Sequence, residues 1–125
     1  MTLADRVEQA SGPDREMFLA AFYEISGSAL QGTIALPYPE YAAVFGRFVE
    51  LLDAEAYLDA AMTLLPEGWG VCIEQERSTR RCEASISPPG KEPWGADVFK
   101  GEGETLPLAL LAATIRAHEQ GGEGE

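Results

Sequence analysis

LDAAMTLLPEGWGV, residues 58–71, changes its period in the middle. Up to Leu65 the apolar residues Leu58, Ala61, Met62 and Leu65 recur at helical spacing, whereas beyond Gly68 Trp69, Val71 and Ile73 alternate with Gly70, Cys72 and Glu74. Periods of 3.6 and 2 belong to an amphipathic helix and a half-buried strand. Pro66 and Gly68 between them are the residue types that stop a helix. The stretch is therefore a joint between a helical half and a β half, with Trp69 expected to seal the first strand against a helix.

Downstream, Cys82, Ala84 and Ile86 alternate with Glu83, Ser85 and Ser87. This predicts the return strand of an antiparallel hairpin whose loop holds Arg77, Ser78, Thr79 and Arg80. Pro88-Pro89-Gly90 ends that strand, residues 94–100 predict a third, and Gly101-Glu102-Gly103 is read as its end. Thr105 is the candidate cap of a last helix with Leu108, Leu111, Ala112 and Ile115 on its inner face. From Gln120 the run QGGEGE has nothing to bury, predicting a disordered acidic tail over 120–125.

Upstream, Leu3 and Val7 predict a short first helix. A second opens at Ser11-Gly12-Pro13-Asp14, with Ser11 or Gly12 as cap, and buries Phe18, Phe22 and Ile25. Residues 27–39 read as a loop with one extended piece over 33–36. Tyr41, Val44, Phe45, Phe48, Leu51 and Leu52 then repeat at spacings of three and four. Either a further helix begins after a cap at Asp53, or one kinked helix runs over 40–65. The fold class is α+β: a three-stranded antiparallel sheet packed between helices, an α/β/α sandwich in which helices come first, then the meander, then a C-terminal helix.

Leu58-Asp59-Ala60-Ala61, Pro66-Glu67-Gly68-Trp69 and the Leu/Ala-rich helix ending in Arg116-Ala117, in this order, resemble the phage ABA sandwich domain. The likeness covers residues 56–118 most closely, and the helix over 13–26 looks like that family's opening helix. The resemblance implies a single domain over 1–119, with 27–54 a family-atypical insertion carrying a helix, and an origin in a phage or prophage. The family has no assigned activity, so no catalytic residue is carried over.

Composition bounds the function. The 125 residues carry 21 acidic and 9 basic side chains, a net charge of -12. Such a surface repels phosphates, which argues against direct nucleic-acid binding and suits a basic partner. No apolar run is long enough to span a membrane and residues 1–10 lack a signal-peptide core, so host cytoplasm is the expected location. The single histidine, His118, is expected at an exposed helix C-terminus, where a cation is favoured. Neither GxGxxG nor GxxxxGK[ST] occurs. No cofactor, no metal and no enzymatic activity are expected. Cys72 and Cys82 read as free small hydrophobes, with pairing across the hairpin as the alternative.

Binding is the remaining class. The acidic residues Glu50, Asp53, Glu55 and Asp59, with Glu74, Glu76 and Glu83 on the sheet, form the first candidate surface. A host protein or ribonucleoprotein complex with a basic nucleic-acid channel is the expected partner, inhibited as by an anti-CRISPR that mimics DNA. The second candidate is the hairpin tip with Arg77, Arg80 and Arg81, together with Tyr38. That tip either anchors an acidic partner or is neutralised by Glu74, Glu76 and Glu83. The alternative function is a self-assembling accessory phage protein, a homodimer through the aromatic helix over 40–52.

Overall fold

The computed structural model describes residues 2–26, 38–65, 68–78, 81–90 and 98–123, and of residues 26, 38–42 and 119–123 the backbone only. The described residues form α1 (Leu3–Gln9), α2 (Arg15–Ser26), α3 (Tyr38–Asp53), α4 (Tyr57–Thr63), β1 (Gly70–Gln75), β2 (Cys82–Ser87), β3 (Phe99–Gly103) and α5 (Leu106–Glu123). The strands make one antiparallel sheet in the order β1-β2-β3. This is the expected α+β class, helices first, a meander, then a C-terminal helix. The extended piece over 33–36 lies outside the described residues.

Local chemistry explains the helix boundaries. Thr2 and Asp5 form a reciprocal capping box on α1. The cap of α2 is Asp14 rather than Ser11 or Gly12: its Oδ1 accepts the Met17 amide at 2.8 Å. A carboxylate there both satisfies an orphan donor and faces the positive helix end. Between α3 and α4 the chain breaks into two helices. Glu55 and Ala56 donate back to Leu52 and Leu51 at 3.0 and 2.8 Å, with Glu55 at φ 58. That is a Schellman ending with glutamate where glycine is usual. Asp53 caps neither side; it pairs with Arg15 of α2. The buried face of α4 is Ala60, Ala61 and Leu64, while Met62 is 41% exposed, so the stripe is rotated from the expected one.

The middle layer is α5. Every residue from Leu108 to Ile115 is fully buried, as a helix covered on all sides must be. One side lies on β2 and β3, and the others meet α1, α2 and α4. A Cβ at Gly101 would stand 2.4 Å from the Ala109 carbonyl and the Ala113 amide, and one at Gly103 2.8 Å from Leu108. The glycines therefore lie within β3, Gly103 as its last residue. They let the helix backbone lie directly on the strand, which is why β3 occupies 99–103 instead of 94–100; residues 94–97 lie outside the described residues. The hydroxyl of Thr105 is buried without a hydrogen-bond partner among the described residues and caps nothing. At its far end α5 continues to Glu123, past the Gln120 where disorder is expected, because extending a formed helix is far easier than nucleating one.

Aromatic rings join the N-terminal helices. Phe22 of α2 meets Phe45 and Phe48 of α3 at 5.1 and 5.0 Å between centroids, and Phe18 meets Tyr57 at 5.1 Å. Trp69 lies against Phe99 of β3 at 5.9 Å between centroids and packs, partly buried, on the core.

Candidate functional site

The register of the sheet places Glu74 opposite Glu83 and Glu83 opposite Glu102. Cys82, Ala84, Ile86, Gly101 and Gly103 face α5 and are buried, so alternation sends the three glutamates to the outer face. Strands lie about 4.8 Å apart, which sets the pitch of a carboxylate row running across the sheet. Facing like charges cost about 0.2–1 kcal/mol per pair. Glu76, just beyond β1, and Arg81 complete the rim of a hollow of about 320 Å³ also lined by Gln75 and Cys82.

Sequence reasoning missed Glu102, because its flanking glycines read as a strand end. The alternation of Phe99, Gly101 and Gly103 with Lys100 and Glu102 is the signal that places it.

The remaining acidic candidates stand apart. Glu50 faces Arg47 one turn away at 3.8 Å, Asp53 is paired with Arg15, and Glu55 and Asp59 are exposed. They belong to α3, the turn after it, and α4. The His118 ring nitrogen Nε2 lies 3.3 Å from the Leu64 carbonyl at the end of α4. His118 is nine residues from Ala109, about two and a half turns, and so on the opposite side of α5 from Gly101. One expected surface thus becomes two, separated by the central helix.

His118 is a correction in its own right. It is 3% exposed, and burial pushes its pKa below the ordinary histidine value, with the Leu64 bond opposing. The expected exposed cation is a core residue.

Of the hairpin tip, Arg77 is exposed in the turn and Arg80 lies outside the described residues, as does the Tyr38 side chain. Arg81 turns inward: its Nη2 donates to the Glu8 carbonyl at 3.1 Å, at the end of α1. Phe45 and Phe48, offered as an assembly surface, spend their rings on Phe22. Cys72 and Cys82 are free thiols on opposite faces of the sheet, since Cys72 pairs with Ser85 and Cys82 with Gln75. Among the described residues no group of three or more His, Cys, Asp or Glu is placed to hold a metal ion, and no helix is long and apolar enough to cross a membrane.

Next to the carboxylate row lies an ion-pair cluster. Arg116 of α5 donates to both Glu8 oxygens, at 2.6 and 2.7 Å, to Asp5 Oδ1 at 3.0 Å and to the Lys100 carbonyl at 2.9 Å. Glu8 Oε2 also accepts the Glu102 amide at 2.8 Å. The Arg116 bonds hold the Glu8 carboxyl below its ordinary range, and Glu8 in turn raises the Arg116 pKa. Asp5 is lowered chiefly by its bonds to Thr2. These groups tie α1 to the sheet.

No family model, curated protein or solved structure matches the chain.

Proposed function

We propose that the chain is a small acidic binding protein of phage or prophage origin that inhibits a host factor. In its most concrete form it is an anti-CRISPR-like inhibitor that occupies a basic, nucleic-acid-binding surface of a host protein or ribonucleoprotein complex in the host cytoplasm. The observation that carries the reading is the row Glu74, Glu83, Glu102, one carboxylate from each strand, on a protein of net charge -12. A regular line of anions on a rigid sheet offers a basic channel what a phosphate backbone offers it. Its members are spread along a line rather than converging on one point, which suits binding rather than catalysis.

The test is inhibition of nucleic-acid binding by a host defence complex, measured by gel shift at low and at moderate salt. Reversing Glu74, Glu83 and Glu102 to lysine is expected to abolish inhibition. Reversing Glu50, Asp53 and Glu55 is expected to leave it intact. The opposite pattern moves the site to the helices, and inhibition that survives both sets of changes sinks the phosphate-mimic reading.

A further inference from the structure

The two edges of the sheet are treated differently. In β3, the Lys100 carbonyl and the Glu102 amide point away from β2, and each is taken by a side chain, Arg116 and Glu8 respectively. An ion pair thus supplies at two outward backbone groups what a neighbouring strand would, and its side chains cover this edge.

At β1 the alternation can be worked out from the turn. The Glu76 amide donates to the Arg81 carbonyl at 2.9 Å, one step beyond the last ladder pair. Hydrogen-bonded pairs alternate in an antiparallel ladder, so Glu74, Cys72 and Gly70 bond to β2. The amides and carbonyls of Val71 and Ile73 consequently point outward, and among the described residues no strand lies beside them. Their side chains are on the α5 side of the sheet yet only half-buried, because α5 lies over β2 and β3. The outer face of the same strand carries Glu74, with Glu83 beside it and Glu76 at its end.

We infer that the β1 edge takes up an extended segment of the partner protein as a fourth strand, with apolar residues beside Val71 and Ile73 and lysine or arginine beside Glu74. This rests on the reading of the sheet as an acidic binding surface and specifies how that surface is used. Backbone bonds supply affinity and alternate side chains supply selectivity, as in strand addition generally. A second copy is the wrong occupant by charge, since each copy carries a net -12.

The probe is a fluorescent seven-residue peptide of alternating lysine and valine, titrated into the full chain at low salt and followed by anisotropy. Two further peptides carry N-methyl groups, one on the lysines and one on the valines, so that only one set blocks amides facing β1. Strand addition predicts that the parent binds, that one methylated peptide loses about tenfold or more in affinity, and that the other keeps it. Ile73→Pro removes an outward amide while sparing the bonds to β2, and is expected to weaken the parent comparably, with folding checked by circular dichroism.

If both methylated peptides bind like the parent while Glu74→Lys weakens all three, the acidic surface stands and strand addition is overturned. If no peptide binds, both readings fall. A chain that sediments as a dimer with the Val71 and Ile73 amides protected from exchange assigns the edge to a second copy and overturns the proposal.

Discussion

Glu8 and Arg116, 108 positions apart, join through two hydrogen bonds of 2.6 and 2.7 Å, and the same two side chains occupy the outward backbone groups of β3. One carboxylate and one guanidinium thereby fasten α1 to α5 and cap two backbone groups at a sheet edge. The paired fork geometry explains why an arginine serves here and a lysine would not.

Glu8→Gln and Arg116→Met are each expected to lower stability by about 1.5–3 kcal/mol, the range for hydrogen bonds to charged groups. In both variants the Glu102 amide should exchange faster with solvent. Urea unfolding combined with hydrogen exchange measures the two effects. Unchanged protection at Glu102 would show that the edge is held by something other than this pair.

Two glycines of opposite character test the contact between α5 and β3. Gly101→Ala places a methyl group 2.4 Å from backbone atoms and should cost at least about 1–3 kcal/mol through overpacking. Gly46, in α3, has open space where a methyl group would stand, with nothing within 4 Å, so Gly46→Ala should gain about 0.5–1 kcal/mol from reduced chain entropy. Thermal denaturation of the pair suffices.

Glu55 separates stability from binding at the helical surface. It sits at φ 58 with its side chain exposed, so Glu55→Gly should relieve strain of about 1 kcal/mol. Because the proposed site is the sheet, inhibition of the host complex should be unaffected.

Glu83 is the centre of the carboxylate row, flanked by Glu74 and Glu102. Glu83→Lys replaces two repulsive pairs by attractive ones and should raise stability by up to about 1 kcal/mol. The same change should weaken inhibition. A more stable protein that inhibits less is the signature of a row retained for binding; equal inhibition would argue that the row is incidental.

Stability should also depend on pH in a defined window. Burial lowers the His118 pKa, so the unfolded chain binds the proton more tightly. Its contribution is intact above the ordinary histidine value of about 6.5 and is lost as pH falls below it. A second loss follows at lower pH, as Glu8 is protonated through its lowered pKa. Urea midpoints between about pH 5 and 7 should fall on acidification in the parent and remain nearly flat in His118→Met.

The period change at residues 58–71 and the alternation over 82–87 were legible because each reports burial on one face only. Features set by close approach were not. Gly101 and Gly103 look like punctuation until a helix is seen lying on them, and with them Glu102 joins the row. His118 read as a cation at a helix end, but packing on several sides of α5 makes it a core residue, and nothing local marks Arg116 as a clamp. Asp53 looked like a helix cap and instead finds a partner in Arg15, on a different helix. Such pairings follow from tertiary geometry and leave no local trace.

The burial of α5 on all sides also sets an order of events during synthesis. When the ribosome has made everything up to β3, Phe18, Phe22, Val7 and Ile86 have been produced, but the element that α1, α2, α4 and the sheet share has not. Those elements then have little to fold against. The core is expected to form only once α5 is available, all at once, with the apolar residues of α1, α2 and β2 uncovered until then.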